Sequence, residues 1–207
     1  MSVRQSLLAI LDLGPAYGQQ LRTEFDRRTG STWPLNAGQI YSTLDRLERD
    51  GLVRRAEGTN AGPADADGQR RYEITADGRA EAHAWLATPV VSSAASRDGL
   101  AIKLAIALTL PGVDIAALIA GQRSATAHAL LDLQERRDDT AEPTTSGELA
   151  ALLVTESLVV AAEAELLWLD RAETLLRAAA DAGRTLAEEL STEVPKRGRP
   201  FKVSATS

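Results

Sequence analysis

The chain has 207 residues, of which 44% are hydrophobic and 25% charged, a globular composition with room for one large or two small packed domains. It has no cysteine, which excludes disulfides, thiol catalysis and cysteine-based zinc sites and suits a reducing compartment. The formal net charge of −6 argues on its face against a nucleic-acid partner, although a positive surface stripe, not a positive total, is what phosphate binding requires.

Val3 to Leu13 reads as a first helix, with Leu7, Leu8, Ile10 and Leu11 apolar, and Gly14-Pro15 breaks it. The patch is too short for a membrane span, which needs roughly 18 apolar residues, and no small-residue cleavage site follows it. A cytoplasmic protein without membrane contact is therefore expected. A second helix is predicted from Ala16 or Tyr17 to Arg28, with Tyr17, Leu21 and Phe25 on its buried face. Gly30 closes it, and Ser31 to Leu35 forms a turn.

The next stretch, NAGQIYSTLDRLERDGLV over residues 36–53, is the most informative. Ile40, Leu44 and Leu47 recur at helical spacing toward a core, which turns Gln39, Ser42, Thr43 and Arg46 to solvent. Asn36 and Gln39 fit a capping box, and Gly51 stands where a helix end favours a left-handed residue. Two short alternating segments follow, 52–57 and 69–74, joined by a Gly/Pro/Asp-rich loop. Three helices and a hairpin with an exposed tip make a winged helix-turn-helix. Thr75 caps a fourth helix that Pro89 ends.

TPVVSSAASRDG is a linker by composition, and beyond it the pattern is helical: Asp98–Leu110, Val113 to about Arg137, and a long helix from about Glu148 to Ala182. The apolar positions of the last are too many for a single neighbour, so a second copy of the chain is the expected partner; a monomeric helical hairpin is the alternative. The expected fold class is mainly α with a small β-hairpin. Its parts are a winged helix-turn-helix (1–88), a linker (89–97), a helical dimerisation domain (98–190) and a basic flexible tail (191–207). Charge follows this division. Residues 1–88 hold 11 basic against 12 acidic residues, 89–190 hold 8 against 16, and 191–207 hold 4 against 1.

Three pieces, SLLAILDLGPAYGQQL, STWPLNAGQIYSTLDRLERDGLV and RRYEITADGRAEAHAWL, together resemble the PadR family of bacterial transcriptional regulators. The resemblance implies a DNA-binding repressor acting as a homodimer on a pseudo-palindromic operator. It also implies Tyr41 as a phosphate contact; a core ring beside Leu44 is the other reading. Arginine outnumbers lysine 20 to 3, a further hint of a GC-rich bacterial source. Two features depart from the family pattern: Tyr17-Gly18-Gln19 where His-Gly-Tyr is common, and a long wing tip bearing Asp65 and Asp67, which phosphate would repel.

On duplex DNA, Gln39 would read adenine, Arg46 a guanine or phosphate, and Ser42 and Thr43 the backbone, from a helix laid in the major groove. Arg70 and Arg71 at the wing base would hold phosphate. Lys196, Arg197 and Arg199 lie in PKRGRPFK, which resembles an AT-hook; a solvated basic tail is the alternative. Trp85 and Trp168 would line a pocket for a small aromatic effector between subunits, or serve as core aromatics. His83 and His128 lack catalytic or metal-binding neighbours in sequence, and no phosphate loop is present, so neither an enzyme nor a cofactor or metal is expected. The competing class is a winged-helix module that binds protein.

Overall fold

A computed structural model describes residues 2–56, 70–90, 97–139 and 142–191. The elements in chain order are α1 (Ser2–Leu11), β1 (Ala16–Tyr17), α2 (Gly18–Arg28), α3 (Ala37–Arg49), β2 (Val53–Arg55), β3 (Arg71–Ile74), α4 (Ala76–Ala87), α5 (Arg97–Thr109), α6 (Ile115–Asp139) and α7 (Ser146–Asp181). The expected mainly helical architecture with a winged helix-turn-helix is what the chain adopts.

One element departs from expectation. Ala16–Tyr17 is not the start of α2 but a short strand, antiparallel to β3 with Tyr17 opposite Arg71, so the sheet runs β1-β3-β2. Two residues cannot show a period, and this strand exists only because β3 supplies its hydrogen-bond partners. Gly18 and Leu21, not Tyr17, begin the buried face of α2, which continues through Glu24, Phe25 and Arg28.

The N-terminal core joins Leu7, Leu8, Ile10 and Leu11 of α1 to Leu21 and Phe25 of α2, Ile40, Leu44 and Leu47 of α3, and Tyr72 and Ile74 of β3. Helix α3 ends as its sequence dictates. Gly51 takes φ +75°, Leu52 N–H donates to the Leu47 carbonyl at 2.9 Å and Gly51 N–H to that of Glu48 at 3.0 Å, a Schellman closure. The chain then enters β2, where Arg54 sits opposite Glu73 and pairs with it at 3.1 Å.

Thr75 caps α4 as expected: its Oγ1 accepts from Gly78 N–H at 3.1 Å and donates to the Gly51 carbonyl at 2.8 Å. At Gly78 an added Cβ would lie 2.0 Å from the Leu52 carbonyl oxygen. The glycine is what lets α4 approach the end of α3 this closely.

Helix α5 packs on both sides. Ile102, Ile106 and Leu110 enter the N-terminal core, while Leu100 and Leu104 join Ile119 of α6 and Leu169 of α7 in a second cluster. Lys103, on the same helix, is 1% exposed; its Nζ donates to the Thr88 carbonyl and lies 5.8 Å from the Trp85 ring centre. Burial pushes its amine down to about 8. The unfolded chain keeps the proton to the ordinary value of 10.5, so across that window the unfolded state binds more protons and stability rises with pH. Below it the fold carries the whole penalty. Lys103→Met is expected to stabilise the protein at pH 7 by about 1–3 kcal/mol and to abolish the alkaline gain; melts at neutral and alkaline pH check both.

Helices α6 and α7 form an antiparallel pair, α7 opening with a Thr145–Glu148 capping box. Between them Glu165 Oε1 accepts from Gln122 Nε2 at 2.9 Å and Thr126 Oγ1 at 2.6 Å, and Gln122 also bonds both backbone groups of Val90. No helix among the described residues is long and apolar enough to cross a membrane.

Candidate nucleic-acid interface

Helix α3 presents one apolar and one polar side. Ile40, Leu44 and Leu47 are buried, while Gln39, Tyr41, Ser42 and Arg46 are exposed and Thr43 is half-buried. The predicted capping box forms: Asn36 Oδ1 accepts from Gln39 N–H at 2.8 Å, and Gln39 Oε1 accepts from Asn36 N–H at 3.0 Å. This bears on chemistry. Bidentate reading of adenine needs the glutamine oxygen as acceptor and its nitrogen as donor together, and here the oxygen already serves the cap. The amide N–H remains available at the helix N-terminus.

Ser42 and Thr43 both turn their hydroxyls back onto the Gln39 carbonyl, at 3.2 and 2.7 Å. A hydroxyl rotates readily, and each keeps acceptor capacity toward solvent. Arg46 forms no hydrogen bond or ion pair among the described residues. Its neighbours behave otherwise: Arg49 lies 3.5 Å from Asp50, Arg55 pairs with Glu48 at 2.8 Å, and Arg22 stands 3.9 Å from Asp26. Arg46 is thus the unpaired cation on the exposed face of α3. Asp45 beside it is the one exposed carboxylate within the helix's central turns.

Tyr41 is not the buried core ring of the alternative reading. It is 43% exposed, yet its ring edge seats on Gly18 of α2, where an added Cβ would lie 2.7 Å from Cε1. The glycine in Tyr17-Gly18-Gln19 therefore sets how closely the first turn of α2 approaches α3. At the wing base Arg70 is exposed, while Arg71 is drawn inward: Nη2 donates to the Pro15 carbonyl at 3.0 Å and the guanidinium lies 5.3 Å from the Tyr17 ring centre. Arg71 ties β1 to the wing, a task that sequence reading did not assign. Asp65, Asp67, Lys196, Arg197 and Arg199 lie outside the described residues.

The two tryptophans do not meet within the chain. Trp85 packs against the N-terminal core; Trp168, on α7, borders a cavity of about 330 Å³ with Asp98, Leu100 and Glu165. A larger cavity, about 590 Å³, lies elsewhere, between α1, α4 and the α5–α6 turn. Leu13, Leu86, Leu110, Val113 and Leu118 wall it, and Asp12, His83 and Asp114 stand at its edge. His83 is not a lone surface residue, since its Nε2 is 2.9 Å from Asp12, which also accepts from Arg79 at 2.6 Å. Among the described residues no His/Asp/Glu group could hold a metal ion.

Sequence reasoning missed a buried charge pair. Glu24 of α2 is fully buried and accepts from Arg28 Nε at 3.0 Å and Arg27 Nη2 at 2.7 Å. Burial pushes the Glu24 carboxyl up, but those donors and the Ser191 N–H outweigh it and hold it below its ordinary value. Arg28 in turn donates to Thr109 Oγ1 at 2.7 Å and to the Glu188 carbonyl at 3.0 Å. An acid and a base four apart on a helix normally read as a surface pair; only the distant backbone shows otherwise.

A helix-turn-helix with an adjacent wing, carried on a long helical pair, defines the class: a winged-helix protein with a separate helical unit. Residues 7–84 match the model of the transcriptional regulator PadR-like family. Residues 96–177 match the virulence activator alpha C-terminal family. The matched PadR-like family is one of transcriptional regulators, not enzymes.

A probable transcriptional regulator of Mycobacterium tuberculosis, Rv1176c, is 32% identical over 90 residues. That match takes in 44% of this chain and 46% of the relative, so the similarity spans about half the length of either. Among solved structures, Bacillus subtilis PadR in complex with operator DNA is similar at 20% identity and TM-score 0.37, over 84% of this chain and 99% of that one. The same protein in complex with p-coumaric acid is similar at 20% and 0.37, over 86% and 99%. The Vibrio cholerae virulence activator AphA is similar at 20% and 0.36, over 86% and 99%.

Proposed function

We propose that this chain is a sequence-specific DNA-binding transcriptional regulator of the cytoplasm, a ligand-responsive repressor that grips a pseudo-palindromic operator as a homodimer. The observation that carries the reading is the exposed face of α3, where an unpaired Arg46 stands beside Gln39, Ser42, Thr43 and Tyr41 on a helix fixed by caps at both ends. Such a helix laid in the major groove offers donors to base edges from its first turns and a cation one turn on. Arg70 extends the contact to phosphate from the wing base. The division into a DNA-binding unit (1–88), a connection (89–97), a dimerising unit (98–190) and a basic tail (191–207) belongs to this reading.

The homodimer is supported by α7. Its inner face is buried on α6, yet Leu153, Val160 and Leu167, spaced by seven, are 64%, 60% and 53% exposed, with Leu149 and Leu175 extending the stripe. A seven-residue apolar repeat on a long helix is the seam of a helix pair. A small aromatic effector fits the 590 Å³ cleft better than the tryptophan sites: it is apolar-walled, edged by a few polar groups and lies between the two units. Two carboxylates at its edge favour a neutral or cationic compound over an anion.

Two substitutions test the reading helix. Arg46→Ala is expected to cost about 1–3 kcal/mol of operator binding with little change in stability. Gln39→Glu keeps the capping box but removes the amide donor and adds a charge that phosphate repels. It is expected to lose affinity while melting like the parent. Gel-shift titration on the DNA upstream of the chain's own gene reads both; full affinity in both variants would favour the protein-binding alternative.

A further inference from the structure

Both ends of the α6–α7 hairpin return to the same place. Helix α6 follows α5 across Pro111-Gly112, where Gly112 takes φ +74°. Helix α7 closes at Gly183, φ +65°, with Arg184 N–H on the Ala179 carbonyl, and residues 184–191 then run without helix. Their Glu188 N–H donates to the Thr109 carbonyl at 2.9 Å, just before the α5–α6 turn. Leu190 packs against the N-terminal core. Ser191 N–H donates to Glu24 Oε1 at 3.0 Å, and Gln20 Nε2 donates to the Ser191 carbonyl at 2.9 Å.

One side chain gathers these segments. Arg28, at the end of α2, is buried and engages all of its nitrogens. Nε donates to Glu24 at 3.0 Å, Nη1 to the carbonyl and hydroxyl oxygens of Thr109 at 3.1 and 2.7 Å, and Nη2 to the Glu188 and Glu189 carbonyls at 3.0 and 3.3 Å. The rigid planar fork of a guanidinium suits this task, because its donors point along fixed and different directions. A lysine ammonium is a compact point donor and cannot span the three segments. Glu24 supplies the opposite charge that lets the cation be buried at all.

The mechanical consequence is a second root for the hairpin. Rooted only through a Pro-Gly turn, a helical pair is free to swivel on that turn, since hinges are the few loop residues that absorb a change of backbone angle. Rooted at both ends, it is not. Helix α5 belongs to the N-terminal core through Ile102, Ile106 and Leu110, so the second root fixes the hairpin against the unit that carries α3.

We propose that Arg28 is a positioning residue for DNA recognition. By holding residues 188–191 to Thr109 and α2, it sets the distance and angle between the two copies of α3 in a dimer paired through α7, and so the half-site spacing the protein accepts. The inference rests on the DNA-binding reading above and deepens it by naming what determines operator geometry. One added base pair moves a half-site by about 3.4 Å and turns it by about 35°, which two fixed helices cannot follow.

The parent, Arg28→Lys and Glu188→Pro decide it, each as the full chain and each checked by melting and sedimentation for an intact dimer. They are titrated on operators whose half-sites stand one or two base pairs closer or farther apart, and on a duplex with a lone half-site. The parent is expected to prefer one spacing and to lose about 100-fold in affinity two base pairs away from it. Both variants are expected to bind the lone half-site as the parent does, yet to change by less than about 10-fold across the series, because a loosened root lets the helices follow. Glu188→Pro removes the N–H that Thr109 receives while leaving Arg28 and Glu24 in place, so it decides alone if Arg28→Lys does not fold. Parent-like spacing preference in a folded variant would overturn the positioning role. A parent indifferent to spacing would overturn the fixed root. A parent that binds no duplex would instead overturn the DNA-binding reading itself.

Discussion

Replacing Gly78 with alanine is expected to destabilise the N-terminal unit by at least about 3 kcal/mol, at or beyond the upper end of ordinary overpacking. The new methyl group would stand 2.0 Å from the Leu52 carbonyl oxygen and 2.9 Å from both the Leu52 carbonyl carbon and Ile74 Cγ1. Neither backbone group can move freely. The Leu52 carbonyl accepts from Thr75 N–H at 3.0 Å, and Leu52 N–H closes α3. One methyl group thus pushes on the end of α3, the start of the wing and the cap of α4 together. Denaturant unfolding measures the loss. Gly121→Ala is the control: nothing lies within 4 Å of its added Cβ, it sits inside α6, and it is expected to stabilise by about 0.5–1 kcal/mol. Similar stability in the two variants would contradict the close approach described at Gly78.

The second large effect is expected on assembly. Val160→Glu with Leu167→Glu places two charges on the outer stripe of α7, where both side chains are more than half exposed in the single chain. The protomer should fold with its helix content intact. Buried in a helix-pair seam, however, two unpaired carboxylates per protomer are prohibitive. The variant is expected to sediment as a monomer and to lose operator affinity about 100-fold or more, because the second half-site contact is no longer tethered to the first. A variant that remains dimeric would show that the chain pairs through another surface.

How much of this was legible in the sequence depends on the range of the interaction. Ile40, Leu44 and Leu47, the Asn36–Gln39 box, the Gly51 turn and the Thr75 cap are all local: partner and signal lie within five residues, and each forms as its pattern predicts. The two-residue strand β1 was hidden because only β3, more than fifty residues on, makes it a strand. The same holds for Arg71, read as a phosphate contact and found on the Pro15 carbonyl and the Tyr17 ring. The Glu24–Arg28 pair carries no sequence mark of burial, since what buries it is Thr109 and residues 188–191. A run of Ala-Glu-Glu-Leu-Ser after a long helix reads as solvated chain; the structure makes it the tie between the late helices and α2.

The two units are thus joined through more than α5. Thr109, which Arg28 and Glu188 bond, adjoins Leu110 in the wall of the cleft between α1, α4 and the α5–α6 turn, so residues 188–191 and the cleft meet the same end of α5.

The most direct measurement is a footprint of the purified chain on the DNA upstream of its own gene, taken across a salt series. The account predicts two protected half-sites related by a twofold axis, their centres one or two helical turns apart, filled together at two chains per site and weakening steeply with salt. A single protected site filled by one chain, or no protection at low salt, would contradict it.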